Sequence, residues 1–164
     1  MARSKIKHFK GFSIVDGDIR VMLNMSRFEK QFQRAQYQLD GAVMNSMVPF
    51  MPMVTGSFIN ATRAASAAVQ GSGEVYAAYG PQGRFLYEGK TMVDEKTGST
   101  WARRGAKKVL VSEFGGKTNA KPDLTYTRQA HPKAQSHWFD AAKKADGEKW
   151  IRDVKRTAGG GQRG

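Results

Sequence analysis

The chain has 164 residues, 40% of them hydrophobic, which is enough for one core of ordinary size and cramped for two full domains. Lysine and arginine outnumber aspartate and glutamate by 27 to 14, a formal net charge of +13, so the partners this balance admits are anionic: nucleic acid, an acidic protein face or an anionic membrane. The absence of cysteine excludes disulfide staples, thiolate zinc sites and cysteine nucleophiles.

Residues 1–10, MARSKIKHFK, are basic and lack the continuous apolar stretch of a signal peptide. No apolar run approaches the roughly 20 residues of a spanning helix, so the expectation is a protein made in the cytoplasm, with an N-terminal arm that is mobile or ordered by a partner. In GFSIVDGDIRVML two apolar runs flank Asp16-Gly17, a dipeptide suited to a tight hairpin turn with positive φ. A strand followed by a helix is equally open, because Ile19, Met22 and Leu23 have helical spacing and Asp18 suits a helix start.

Ser26-Arg-Phe-Glu29 has the form of a capping box, and Phe28, Phe32, Ala35, Leu39, Ala42 and Val43 follow at spacings of three or four. The pattern predicts an amphipathic helix from about Ser26 to Met47, stopped by Pro49 and Pro52. Met44, Met47, Met51 and Met53 cluster at that stop, where methionine fills irregular gaps in a core more often than it builds a contact surface. Two strands are expected after Gly56, near Phe58–Thr62 and Glu74–Tyr79, and a short aromatic strand over Phe85, Leu86 and Tyr87.

From Lys90 the composition shifts to a long basic arm, about residues 90–122, with a turn at Lys96–Gly98, an apolar run Val109–Val111 and a break at Gly115-Gly116. Its length without evident structure predicts either a working loop or a segment ordered by a partner. Leu124–Arg128 reads as a return strand, and Pro132 suits the first turn of a second helix. Trp138, Ala141, Ala142 and Ala145 share one side of that helix, Gly147 suggests a bend, and Trp150, Ile151 and Val154 continue the stripe. The boundaries drawn are an arm with a hairpin or strand over 1–25, one domain over 26–158 and a disordered tail over 159–164. The candidate core is Phe28, Phe32, Leu39, Val43, Val75, Phe85, Tyr87, Trp138 and Phe139.

Chemistry-bearing motifs are sparse. Asp16 and Asp18 lack the glycine and distal glutamate of a calcium loop, and His131 and His137 are six apart without a third ligand. No phosphate loop or nucleophile elbow is present, so the expectation is no enzyme, no cofactor and no metal. Arg103, Arg104, Lys107 and Lys108 beside Trp101 suit either phosphates with a stacked base or an acidic protein neighbour, without sequence specificity. Lys90, Lys117 and Lys121 extend the same set.

Pro52 to Thr55-Gly56, then Tyr79 to PQGRFLYEGKTMVD, then TGSTWARRGAKK, then HPKAQSHWFDAAKK and a final Trp150 together closely resemble the tailed-bacteriophage minor capsid protein family, related to the neck and tail-completion proteins of long-tailed phages. The resemblance covers roughly Ser26 to Gly160; FLYEGK, ARRGAKK and HWFDAAK in this order are its specific pieces. It implies a structural virion protein at the head-to-tail junction: a six-fold ring of identical subunits around the DNA channel, joining the portal-side connector to the tail. It also implies an α+β fold, a small mostly antiparallel sheet flanked by two amphipathic helices, similar to tail terminators. The basic arm would then contact a neighbouring subunit or adjacent ring, or make weak contacts with DNA in the channel. The other expectation, from the residues alone, is a non-specific nucleic-acid-binding protein that uses this arm.

Overall fold

A computed structural model gives the backbone of residues 12–16, 19–23 and 25–159, with side chains from residue 25 on. The fold is α+β: helices carry most of the regular structure and the strands form two-stranded antiparallel sheets. The chain divides into two compact units that alternate along the sequence. One takes the described residues up to Ser46, then Arg63–Tyr76 and the chain from Ala142; the other takes Met47–Thr62 and Ala77–Ala141.

In the first unit, β1 (Phe12–Asp16) pairs antiparallel with β2 (Ile19–Leu23), from Phe12↔Leu23 to Asp16↔Ile19. This is the hairpin of the two open readings, with its closing pair one residue later than a turn centred on Asp16-Gly17 requires. The side chains of Asp16 and Asp18, the arm over 1–10 and the tail beyond residue 159 lie outside the described residues.

Helix α1 (Ser26–Met47) has the limits its periodicity predicts, about 33 Å of helix at ~1.5 Å per residue. Its buried face matches the predicted stripe only in part, at Ala35. Phe28 stands 48% exposed and leaves the core list, and Phe32, Leu39 and Val43 are only half-buried, whereas Ala35, Asp40 and Met44 are buried. The reason is polar. Asp40 Oδ2 accepts the N–H groups of Gly71 at 2.7 Å and Gly73 at 3.2 Å, and Oδ1 accepts Gln36 Nε2 at 2.7 Å. A buried carboxylate that holds the loop amides of Gly71 and Gly73 turns its own helix face inward.

The unit's remaining packing follows the same helix. In α4 (Trp138–Ala158), Trp150 Nε1 donates to Ser46 Oγ at 3.2 Å and Thr157 Oγ1 to Gln38 Oε1 at 2.7 Å, so this part of α4 runs antiparallel to α1. The helix continues unbroken through Gly147, and Ile151 points to solvent.

The expected strand at Phe58–Thr62 is instead part of α2 (Ser57–Ala68). Alanine-rich sequence favours helix, and Ile59, Thr62 and Ser66 recur at helical spacing on a buried face. Residues 74–79 do not form a strand either, because their backbone groups bond to side chains of α2. Ser66 Oγ takes Tyr76 N at 3.1 Å and donates to Tyr76 O at 3.3 Å, and Thr62 Oγ1 takes Tyr79 N at 3.2 Å. Val75 is accordingly half-buried.

In the second unit, Phe85–Tyr87 belongs to a short helix, α3 (Gly83–Glu88), and not to a strand. Gly89 stops it in the left-handed conformation (φ 73°, ψ 28°), and Phe85 O accepts the N–H groups of Gly89 and Lys90. A Cβ on Gly89 would lie 3.1 Å from both Ser136 Cβ and Tyr126 Oη, so that stop requires glycine sterically as well. The return strand expected over Leu124–Arg128 reduces to one bridge, Lys90↔Asp123, with Leu124 N on Gly89 O at 2.8 Å; Tyr126 then donates its hydroxyl to Leu86 O.

α4 begins at Trp138, six residues after Pro132. His137 at φ 49° interrupts the turn, and the backbone before it bonds elsewhere, Gln135 N to Phe50 O and His137 N to Tyr87 O. Met47, Met51, Ile59, Val93, Ala134 and Trp138 form the unit's core, so two methionines of the helix stop, Met47 and Met51, fill it, as their chemistry suggests. Trp138 is fully buried, donates Nε1 to Ala77 O at 2.7 Å and meets Tyr87 edge-on at 4.9 Å and Phe58 at 5.9 Å. Phe85, Tyr87 and Phe139, placed in the candidate core, are half-buried.

Candidate functional site

The basic arm is built, not loose. β3 (Met92–Asp94) pairs antiparallel with β4 (Lys108–Leu110), Val93 opposite Val109, and the connection over 95–107 folds around one side chain. Asp94 Oδ1 accepts Lys96 N at 2.8 Å, Thr97 N at 3.1 Å and an Arg103 guanidinium nitrogen at 3.3 Å. Its Oδ2 accepts Arg103 Nε at 3.3 Å and Arg103 N at 3.4 Å.

Asp94 is 0% exposed, and its carboxyl is held well below the usual carboxylate range, first by Arg103 and then by the Lys96 amide, with burial opposing. The predicted turn at Lys96–Gly98 is present: Gly98 N bonds Asp94 O at 2.9 Å at φ 67°, and a Cβ there would sit 2.5 Å from Phe114 Cε1. Thr118 Oγ1 donates to Gly98 O at 2.6 Å and Lys108 Nζ to Thr100 O at 2.9 Å. The expectation that this segment takes its order from a partner is therefore corrected, because internal hydrogen bonds supply it.

The loop presents Trp101. Its N–H is tied to Ser99 Oγ at 3.1 Å while the residue is 87% exposed. Of the predicted contact residues, Arg103 is engaged by Asp94, Lys90 by Asp123 at 2.7 Å and Lys108 by the Thr100 carbonyl. Arg104, Lys107, Lys117 and Lys121 are exposed and make no ion pair among the described residues.

Two adjoining clefts lie beside the hairpin. An apolar groove of about 520 Å³ is walled by Pro81, Phe85, Leu86, Met92, Ala106 and Leu124, with Lys90 and Lys108 also on its lining. A more polar cleft of about 490 Å³ shares Phe85, Lys90, Met92 and Lys108 with it and adds Arg84, Lys107, Glu88 and Glu113. Sequence reasoning missed Asp94 and the groove. The signal for the first was the string Asp-Glu-Lys-Thr-Gly98, an aspartate placed to cap its own turn ahead of a glycine.

His131 Nδ1 lies 2.8 Å from Met51 O, and His137 lies 3.6 Å from Glu88 and 4.0 Å from Asp140. Among the described residues no three His, Asp or Glu gather to hold a metal, and no helix is long and apolar enough to cross a membrane. No protein-family model, curated protein or solved structure matches the chain.

Proposed function

We propose that this chain is a structural subunit of a tailed-phage head-to-tail junction, one copy of a homo-oligomeric ring that joins the portal-side connector to the tail and acts by docking, without catalysis. The observation that carries the reading is the hairpin loop: a buried carboxylate fixes its backbone while Trp101 stands in solvent at its tip. A preformed tip with an uncovered aromatic suits association, because little chain entropy remains to be lost on docking. The ordered motifs that resemble the minor capsid family support the same role. Nucleic-acid binding is the second reading, favoured by Arg104, Lys107, Lys117 and Lys121, which are exposed and make no ion pair among the described residues.

The test is the mass of the purified protein by light scattering at low and high salt, with and without a short DNA duplex, together with its incorporation into phage particles. A discrete ring, or a monomer that ignores DNA and enters particles, supports the junction role. A monomer that binds the duplex tightly and releases it steeply with salt replaces that role with the second reading.

A further inference from the structure

The apolar groove and the exposed indole have complementary chemistry, and both belong to the same compact unit. We propose that Trp101 of one copy seats in the groove of the next copy, between Phe85, Leu86, Met92 and Leu124. This rests on the assembly role above and names its contact. At about 520 Å³ the groove falls within the ~300–1,000 Å³ of pockets that enclose compact ligands, ample for an indole.

Its chemistry suits that occupant. The lining is mainly apolar, and the two lysines on it are already engaged, Lys90 by Asp123 and Lys108 by the Thr100 carbonyl. The adjoining cleft carries Glu88 and Glu113 among Arg84, Lys90, Lys107 and Lys108; Glu88 lies 3.6 Å from His137, while Glu113 makes no ion pair among the described residues. Arg104, three residues beyond Trp101 and likewise without an ion pair among the described residues, is the cation the incoming loop brings to Glu113. Knob and groove are different side chains of one chain, with Thr100, next to Trp101, on the groove lining itself, so repeated head-to-tail contacts of this kind close into a ring when the rotation permits. A nucleic-acid strand suits this place less well: the groove is apolar, and Lys90, Arg103 and Lys108 already have partners within the chain.

The experiment measures mass by sedimentation on three proteins. Wild type associates with rising concentration; Trp101→Ala, which lacks the knob, and Ala106→Phe, which fills the groove, each stay monomeric with unchanged helical circular dichroism. Mixed one to one, the two variants form pairs and nothing larger, because only the Trp101 of the Ala106→Phe chain can enter the open groove of the other. Gln82→Phe, at an exposed position on the same lining, replaces Ala106→Phe if that variant melts early.

Trp101→Ala chains that associate like wild type overturn the contact and leave the assembly role standing. A mixture that stays monomeric also overturns it, as does wild type that remains monomeric to about 1 mM, the weak end of measurable association; particle incorporation then tests the assembly role separately. Loss of oligonucleotide binding in Trp101→Ala, without any self-association of wild type, overturns it in favour of a nucleic-acid tip.

Discussion

Nε of Arg103 lies 3.3 Å from Oδ2 of Asp94, and the two partners differ sharply in exposure, with the guanidinium side chain 58% exposed and the carboxylate 0%. An ion pair wholly in water contributes little, but here one member is removed from water and also holds three backbone N–H groups. The pair is a clamp on a loop, with its carboxylate out of water and its guanidinium side chain more than half exposed.

The clamp has a defined pH response. A carboxylate whose folded pKa is lowered adds stability above its unfolded value, near ~3.9, and that contribution is lost as the pH falls through the folded value. The lowered value of Asp94 therefore keeps the loop ordered at pH 4 and releases it only in stronger acid. Amide exchange at Lys96 and Thr97 measured against pH checks this, and Asp94→Asn should lack the acid step. Loop opening centred at pH 4 or above would contradict the assignment.

Thr62 is fully buried, its hydroxyl donating to Phe58 O at 2.9 Å and accepting from Tyr79 N at 3.2 Å. Thr62→Val keeps the shape and removes the acceptor, at an expected cost of about 1–3 kcal/mol, the usual loss when a buried amide gives up a partner. Urea unfolding reads it as a lower midpoint at constant slope. An unchanged midpoint would mean that the Tyr79 amide has another partner of equal strength.

Gly89 ends α3 at a positive φ. Gly89→Ala meets the left-handed penalty of about 1–2 kcal/mol and also pushes on Ser136 and Tyr126. The melting temperature should fall by several degrees, with the loss of order concentrated at α3 and the Lys90–Asp123 bridge. Wild-type stability in Gly89→Ala would show that α3 can end by another route.

Salt separates the two functional readings by sign. Copies carrying +13 repel one another, so added salt should strengthen self-association through an apolar contact, whereas phosphate binding weakens linearly in log salt. Sedimentation and oligonucleotide titration at 50 and 500 mM salt, about 14 Å and 4 Å of screening length, measure both slopes. Self-association that weakens with salt would point to a contact made by opposite charges.

The legible parts of this fold were those decided locally. α1 follows from a sustained 3.6-residue period ending at Pro49, and the turn before Gly98 follows from residue types that favour left-handed backbone. Phe85–Tyr87 misled because three adjacent aromatic or aliphatic residues have no period of their own; Gly89 decides for a helix, and the steric need for it comes from Ser136 and Tyr126, about fifty and forty residues later in the chain. The sheet expected from residues 58–62, 74–79 and 124–128 failed because hydroxyls of α2 and single backbone bonds took the pairing roles that neighbouring strands would have filled. Asp40 and Asp94 were passed over because their donors are loop amides, which hydropathy does not register. Trp101 and its cations were visible as residue types, while the groove required the folded α3 and hairpin together.

The chain's three tryptophans occupy different surroundings, with Trp138 sealed, Trp150 nearly so and Trp101 in water. Its intrinsic emission is therefore a sum of two blue components and one red one, and only the red one belongs to the loop. Iodide, an anionic quencher drawn toward Arg103 and Arg104, should extinguish that component first and spare the others. Docking of the loop can thus be followed by light on the unlabelled protein, as a blue shift together with a loss of iodide sensitivity.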